Sequence, residues 1–428
     1  MNIIILLVLL LLIPLNAEAE DIIRKGELLT LERCVEIALI KQPDIIAASN
    51  TVKVNMSRVG QAAADFYPQI DLTTGYSRIS SASDISGSSL ASNGSRGQYS
   101  GSVSLRQNIF DFGRTPAQVR IQKFNLYSSH SDLENASEQT ILNVKQAYYG
   151  VLQTKRNRDV AVETVRQFEL HLEQAKGFYE VGVKPKFDVT TAEVDLSNAR
   201  LNLIRAENAL RIAVTTLNNS MGVPDAPEYN IEDILSYRAY SITFENAIER
   251  AYKNRPDLLS VILRKRAAED SITLAKTGYY PVLTGSASYR QTGENLPLDD
   301  GWEAGITLSL PLFSGYLTRH QVGESRANLE VLKANEEQLR QSIFLEVKQA
   351  SLNLREAEER VPSAELVVKQ AEENLELASG RYAAGVGSPI EVTDAQVGLS
   401  NAKTAYIQAL YDHKVAQANL EKAMGERR

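Results

Sequence analysis

The sequence contains few of the side chains that form disulfides or bind metal ions. Its 428 residues include one cysteine, Cys34, and four histidines. One cysteine cannot form an internal disulfide, and no two histidines have the His-x-x-x-His spacing of a helical metal site. We therefore predict no metal and no cofactor, and we interpret Cys34 as a small apolar residue of a helix.

The sequence also lacks an excess of positive charge. Its 46 lysines and arginines are outnumbered by 53 aspartates and glutamates, which gives a formal net charge of −7. Nucleic acids bind to basic surfaces, so this charge argues against a nucleic-acid partner. The sequence contains no glycine-rich phosphate-binding loop, which argues against nucleotide hydrolysis.

Long apolar runs are absent after the first segment. Residues 3–15 are almost wholly apolar, but this run is shorter than the roughly 20 residues that a membrane-spanning helix needs. Ala17-Glu18-Ala19 fits a signal-peptidase site, so residues 1–19 are predicted to be a signal peptide. The alternative is a buried N-terminal helix, since no lysine or arginine precedes the run. Export without a second spanning helix predicts the periplasm, the outer membrane or the exterior.

The chain is an internal duplication. Pro43 recurs as Pro256, 213 residues later, and Gly182 recurs as Gly385, 203 residues later. Many ordered matches at these two spacings are not expected by chance. The chain therefore divides into a signal peptide, repeat 1, a linker with glycine and proline, and repeat 2, at residues 1–19, 20–218, 219–241 and 242–428.

Each repeat contains two stretches in which apolar and polar residues alternate. In the first stretch, Ile70 and Leu72 alternate with Asp71 and Thr73. Such alternation indicates strands with one apolar face, which lie either between lipid and water or half buried in a soluble hairpin. We predict β-hairpins at about 69–107 and 282–310, with long polar loops at 80–97 and 290–301.

An aromatic residue lies at the loop-proximal end of each of the four predicted strands. These residues are Tyr76, Tyr99, Tyr289 and Trp302. Tyrosine and tryptophan concentrate where a membrane meets water. We therefore predict an aromatic girdle in contact with outer-membrane lipid.

Very long helices follow the strands. Residues 114–178 contain no helix breaker except Pro116 near the start, which predicts a helix of about 65 residues, roughly 97 Å long. Apolar residues then recur in alternating steps of three and four, as in Val189, Ala192 and Leu196, a period typical of coiled-coil seams. Pro362 lies inside the equivalent helix of repeat 2, where it is expected to kink the helix or to cost about 3 kcal/mol.

The four predicted strands require more than one copy of the chain. Four strands cannot close a barrel, and an open sheet edge cannot exist in lipid. A dimer would supply eight strands, whose interior side chains would fill, and a trimer would supply twelve, which could leave a channel.

Together these features resemble the TolC-like outer-membrane efflux protein family, the outer membrane factors. The resemblance covers essentially the whole mature chain and is carried by the two repeats, by the Tyr-Pro pairs before the strands, by the strand exits at 107–113 and 310–315, and by the helical turns at 179–183 and 382–386. It implies a mainly α fold with a membrane β-barrel part: a homotrimer with a 12-stranded outer-membrane barrel and a long antiparallel coiled-coil α-barrel in the periplasm. It also implies a passive exit duct of an efflux or type I secretion system, docked to a periplasmic adaptor and an inner-membrane transporter.

The resemblance also assigns roles to the turns between the long helices. Glu391 and Asp394 match the acidic ring of the periplasmic gate, and Asp188 is the equivalent acid of repeat 1. Tyr382 matches a tyrosine that pairs with such an acid in the closed state, whereas Gly387 stands where the family has an arginine. The alternative is that acids in a first helical turn only stabilise the helix end.

Adaptor docking is assigned by the resemblance to the same turns. The matching residues are Gly182, Val183, Gly385 and Val386. The freedom that glycine gives to a tight helical turn would by itself explain both glycines.

Two other classes of protein share part of the pattern. A periplasmic adaptor or a coiled-coil scaffold also has long helices, but neither requires two copies of a strand pair. An enzyme could use Glu391 and Asp394 as acid and base, but no histidine or metal-ligand cluster lies near them in sequence. We therefore predict that the chain is not an enzyme and has no catalytic residues.

Overall fold

The computed structural model describes residues 23–80 and 95–426. The predicted signal peptide at 1–19 and most of the predicted loop at 80–97 lie outside the described residues. In chain order the elements are β1 Leu28–Leu29, α1 Leu31–Lys41, α2 Pro43–Ala63, β2 Gln69–Ser80, β3 Ser95–Phe110, α3 Arg114–Glu180, α4 Lys186–Ser220, β4 Asn230–Ile231, α5 Phe244–Asn254, α6 Pro256–Lys276, β5 Val282–Gly293, β6 Asp299–Ser309, α7 Leu317–Ala383 and α8 Pro389–Ala423.

The chain folds into two compact units. Unit 1 comprises the described parts of Met1–Ile46, Ala136–Ala251 and Leu345–Arg428. Unit 2 comprises the described parts of Ala47–Asn135 and Tyr252–Phe344, and it contains the main sheet. None of the described helices combines the length and the apolar character needed to cross a membrane.

Proline separates the two short helices that open each repeat. In repeat 1, α1 ends at Lys41 and α2 begins at Pro43. In repeat 2, α5 ends at Asn254 and α6 begins at Pro256. Proline is tolerated at the first position of a helix because that position has no intrahelical partner for its N–H. The breaks predicted at both prolines are confirmed.

The sheet of unit 2 is antiparallel throughout, in the order β2-β3-β5-β6. Leu72 lies opposite Val103, and Asp71 lies opposite Ser104. Successive side chains of a strand point to opposite faces, so this register gives the sheet one apolar and one polar face.

The second hairpin differs from its prediction at the loop. β5 extends to Gly293 and β6 begins at Asp299, so the connection covers 294–298 rather than the predicted 290–301. Backbone pairing continues through Gln291 and Thr292. These residues are polar, and the alternation of apolar residues therefore did not mark them as strand.

The long helices have the same lengths in both repeats. Helices α3 and α7 contain 67 residues each, about 100 Å at 1.5 Å per residue, and α4 and α8 contain 35 each. The predicted seam positions are buried or half-buried, with Leu196 in α4 and Leu354 in α7 among the buried ones. Seams of this period pack knobs into holes, and the coiled-coil prediction is confirmed.

Helix α7 continues through Pro362 instead of ending there. Pro362 is exposed, whereas the preceding residue Val361 is 1% exposed and belongs to the core of unit 1. The proline ring therefore lies on the surface of the helix and displaces no packed side chain. Burial of the flanking seam holds the helix together although one backbone hydrogen bond is missing.

The core of unit 1 joins α1, the linker and the long helices. Its fully buried side chains include Cys34, Tyr148 and Leu217, and Leu235 of the linker is 1% exposed. Burial raises the pKa of the Cys34 thiol to about 12. Cys34 is thus an inert apolar residue of a helix, as predicted.

Candidate functional sites at the hairpin turns and on the sheet

The turns between the long helices have the same backbone geometry in both repeats. Gly182 has φ +77° and Gly385 has φ +79°. The N–H of Val183 donates to Phe178 O at 3.0 Å, and the N–H of Val386 donates to Arg381 O at 3.1 Å. A residue in the left-handed region is typical of a helix C-terminus, and glycine adopts it without steric cost. Backbone geometry therefore accounts for both glycines.

Apolar side chains project from both turns. Val183 is 61% exposed and Val386 is 71% exposed, and Gly182 and Gly385 would have no neighbour within 4 Å of an added Cβ atom. Three further residues, which sequence reasoning missed, are also more than half exposed: Val181, Phe187 and Ile390. Both turns thus present apolar surface that the described part of the chain leaves uncovered. Docking at these residues stays a prediction.

Tyr382 is completely buried near the α7–α8 turn. Its ring lies 5.1 Å from the ring of His171 and 5.6 Å from that of Phe178. Burial raises the pKa of Tyr382, and the charge of Asp188 raises it further. Asp188 is itself 6% exposed, so the structure brings the two predicted gate residues into one buried region. The Tyr382 hydroxyl nevertheless has no hydrogen-bond partner in the described chain.

The acids predicted for the gate in repeat 2 are both exposed. Glu391 accepts a hydrogen bond from Arg381 Nε at 3.2 Å, and Asp394 lies one helical turn further along α8. Sequence reasoning missed Arg381, which is ten residues away on the other side of the turn. Its position next to Tyr382 is the signal that could have suggested it.

Gly387 has no space for a side chain. An added Cβ atom would lie 2.8 Å from Tyr382 N and 2.9 Å from the Arg381 carbonyl carbon. The arginine that the family resemblance places here could not be accommodated without moving the backbone. Arg381, which pairs with Glu391, is a different cation at the same turn.

A cavity of about 450 Å³ lies beside this cluster in unit 1. Phe168, His171, Leu375 and Gln396 contribute to its wall. His171 is 6% exposed, its Nδ1 has no hydrogen-bond partner in the described chain, and burial lowers its pKa. Within residues 23–80 and 95–426, no group of three or more His, Cys, Asp and Glu side chains is arranged to hold a metal ion.

The apolar face of the sheet in unit 2 is exposed. Leu72 is 72% exposed and Ile306 is 71% exposed, although both lie inside strands. Among the predicted girdle residues, the rings of Tyr76 and Tyr99 are 5.0 Å apart, and Tyr289 lies opposite Trp302. An exposed apolar face along several strands indicates a contact with a membrane or with another protein.

A second group of aromatic residues lies at the other ends of the strands. It was missed from the sequence and consists of Phe66, Tyr67, Phe110, Phe112, Tyr279, Tyr280, Phe313 and Tyr316, all at least 42% exposed. Phe112 stacks on Tyr280 at 5.8 Å, and Phe313 lies 5.6 Å from Tyr316. Aromatic residues thus flank the apolar strands at both ends, as the two girdles of a transmembrane barrel do.

A family model and known sequences both match this chain to outer membrane proteins. A family model described as outer membrane efflux protein matches residues 34–223 and 247–426, one segment in each repeat. The chain is 24% identical to the outer membrane protein TolC of Escherichia coli (strain K12) over 414 residues, covering 91% of this chain and 80% of that protein.

Solved structures show the same fold. The crystal structure of CusC superposes with a TM-score of 0.82 at 17% identity, covering 93% of this chain and 92% of that chain. The outer membrane protein VceC from Vibrio cholerae superposes with a TM-score of 0.78 at 19% identity, covering 92% of this chain and 96% of that chain. Because the family model matches most of both repeats, the chain belongs to the outer membrane efflux protein family.

Proposed function

We propose that three copies of this chain form the outer-membrane channel of an efflux or type I secretion system. The channel is a passive duct, and a periplasmic adaptor links it to an inner-membrane transporter that supplies the energy. The observation that carries the proposal is the four-stranded sheet. Its edge strands β2 and β6 pair with no further strand among residues 23–80 and 95–426, and its exposed apolar face is flanked by aromatic residues.

The strand directions are suited to closure. The four strands alternate in direction from β2 to β6, so β6 of one copy and β2 of the next would pair antiparallel. Hydrocarbon has no groups that could satisfy an open edge, so the edges must pair. Three copies supply twelve strands, enough to enclose a channel, whereas the interior of eight strands would be filled by side chains.

The helices of unit 1 also have surfaces for neighbouring copies. Phe187, Val194 and Leu201 recur every seven residues along α4 and are 65%, 54% and 54% exposed. On α7, Leu345 and Leu352 are also seven residues apart and more than half exposed. A seven-residue apolar repeat is the pattern of a coiled-coil seam, so each stripe supports packing against a helix of a neighbouring copy.

The turns between the helices are the proposed periplasmic end. Gly182, Val183, Gly385 and Val386 form the adaptor-docking surface, since they combine tight turns with exposed apolar side chains. Glu391, Asp394, Asp188 and Tyr382 form the gate. Tyr76, Tyr99, Tyr289 and Trp302 contact outer-membrane lipid. A duct of this kind needs no catalytic residue and no cofactor.

The test is the native mass of protein extracted in mild detergent from separated outer membranes, followed by conductance measurements in planar bilayers. We expect particles of three chains that form pores. Leu201→Glu should reduce the trimer fraction because it places a charge in the α4 stripe, whereas Asn202→Glu, at the neighbouring exposed position, should not. A soluble periplasmic monomer would overturn the proposal. The chain would then be interpreted as a periplasmic adaptor or a coiled-coil scaffold.

A further inference from the structure

One lysine connects the two hairpin turns of the chain. Lys184 lies in the turn between α3 and α4. Its Nζ donates a hydrogen bond to Gly387 O, in the turn between α7 and α8, at 3.5 Å. The same ammonium lies 5.4 Å from the centroid of the Tyr382 ring. Lys184 therefore contacts both the backbone and the buried aromatic residue of the other turn.

The two contacting residues occupy equivalent positions in the repeats. Gly387 follows Lys184 by 203 residues, which is the spacing of the duplication in this part of the chain. The two repeats differ at this position. Repeat 1 has Lys184, which supplies a cation, and repeat 2 has Gly387, which supplies a backbone carbonyl oxygen. Gly387 is suited to the acceptor role because a side chain there would collide with the backbone of Arg381 and Tyr382.

The environment favours a cation at this point. The ring of Tyr382 presents its negative face, and an ammonium within about 6 Å of a ring centroid is attracted to it. The carbonyl oxygen of Gly387 adds a second group of partial negative charge. Lys184 is half buried, so these interactions are only partly weakened by water.

The charged groups around the turns do not replace this contact. Arg381 pairs with Glu391 of its own hairpin, so this ion pair holds α7 to α8 and leaves the other hairpin untouched. Further along the helices, Thr393 Oγ1 donates to Asp195 Oδ2 at 2.9 Å, which adds a second link between α8 and α4. Lys184 instead reaches from one turn to the other.

We propose that Lys184 is the positioning residue that clasps the two turns of each protomer and so sets the closed aperture at the periplasmic end of the channel. This inference rests on the proposed channel function. Loss of the clasp frees the α7–α8 turn to move relative to the α3–α4 turn. Because the contact requires the two turns to lie side by side, its loss should raise the population in which they separate and the aperture is open.

The first test compares the conductance of purified trimers carrying Lys184→Met with that of the native protein. The hydrogen bond is long at 3.5 Å and half buried, so its loss should raise the open fraction by about fivefold. Lys186→Met is the matched control because it removes the same charge two residues away, at an exposed position. Lys184→Arg should restore most of the closed behaviour. Equal conductance of Lys184→Met and the native protein would overturn the proposal.

A second test does not depend on conductance. Spin labels at Val183→Cys and Val386→Cys report the distance between the turns, since both positions are exposed, while Cys34 is buried and unreactive. The distance distribution should be narrow in the native background and with Lys186→Met, and broad with Lys184→Met. A narrow distribution with Lys184→Met would exclude the clasp. Native protein that formed no trimer would instead contradict the channel itself, while the label distances would still decide whether Lys184 holds the turns.

Discussion

The hydroxyl of Tyr148 in α3 donates a hydrogen bond to the carbonyl oxygen of Glu232 in the linker, at 2.7 Å. The same hydroxyl lies 3.2 Å from the carbonyl oxygen of Leu29 in β1. Tyr148 is completely buried, and β1 pairs with β4 of the linker next to it. One side chain thus ties the first strand and the linker to the long helix, and it explains why the linker is part of the core of unit 1.

Tyr148→Phe should destabilise the chain by about 1–3 kcal/mol, because a buried carbonyl loses its donor without any change in packing volume. Thermal unfolding followed by circular dichroism checks this expectation. Tyr127→Phe, at a position that is 51% exposed, is the control and should have no measurable effect. Equal melting temperatures for the Tyr148 variant and the native protein would show that water replaces the bond.

Loss of the ion pair between Lys145 and Glu421 is expected to lower stability more than loss of the Tyr148 hydrogen bond. Nζ and Oε2 are 2.7 Å apart, and the side chains are 10% and 8% exposed. Lys145→Met leaves the Glu421 carboxylate buried without its cation, so stability should fall by about 3–5 kcal/mol. Combining it with Glu421→Leu should recover most of the loss in denaturant titrations. Arg355→Ala, in the exposed pair with Glu359, should change stability little.

Two substitutions of Gly385 distinguish the effect of backbone strain from an effect on docking. Its φ of +79° makes any other residue strained, and a Cβ atom there would contact nothing. Gly385→Ala and Gly385→Glu therefore share a cost of roughly 1–2 kcal/mol, but only the glutamate places charge and bulk on the exposed turn. Gly385→Glu should abolish export while the trimer remains inserted, and Gly385→Ala should keep most of the export. Normal export by the glutamate variant would remove the docking assignment.

The burial of His413 predicts that the folded chain loses stability as the pH falls. Its imidazole is completely buried beneath Tyr237, neither nitrogen has a hydrogen-bond partner in the described chain, and burial is the main cause of its lowered pKa. Nearby Lys414 lowers this pKa further, whereas Glu358 raises it.

A lowered pKa in the folded state means that the unfolded state binds the proton more readily. The stabilisation is therefore complete above the ordinary histidine pKa of about 6.5 and is lost as the pH falls from there toward the lowered value. His413→Phe should flatten the dependence of melting temperature on pH between neutral and mildly acidic buffer. His130→Gln, at an exposed position, should leave it unchanged. An unaltered slope in the His413 variant would assign the acid sensitivity to other groups.

The sheet faces can be distinguished by two neighbouring substitutions. Leu72 lies on the apolar face of β2 between the aromatic residues Tyr67 and Tyr76, and Thr73 lies on the opposite face. Arginine facing the middle of a bilayer costs about 2–4 kcal/mol, whereas arginine facing a lumen costs little. Leu72→Arg should therefore reduce the yield of trimer in outer membranes far more than Thr73→Arg. Equal yields would contradict the lipid-facing assignment.

Local sequence signals predicted the elements with little error. The helix expected at 114–178 is Arg114–Glu180, and the hairpins expected at about 69–107 and 282–310 are built from Gln69–Ser80 with Ser95–Phe110 and from Val282–Gly293 with Asp299–Ser309. Proline positions and the two apolar periods act within a few residues, so they can be read along the chain. The predicted family, mainly α fold class and outer-membrane location are confirmed by the family match and the shared fold. The roles of the gate, docking and girdle residues stay predictions.

The amino-acid sequence alone determined the duplication, the period of each element and the glycines of the turns, because these depend on backbone conformation and on neighbours a few residues away. Only the tertiary structure decided the contacts between distant segments. Arg381 meets Glu391, Lys184 meets Gly387, and Tyr148 meets Glu232 because folding brings together residues 10, 203 and 84 positions apart. It likewise decided that α7 continues through Pro362, since the buried seam around Val361 outweighs one missing hydrogen bond. The packing of side chains from distant segments determines these contacts and the course of α7. Such packing cannot be read from the residues of one segment alone.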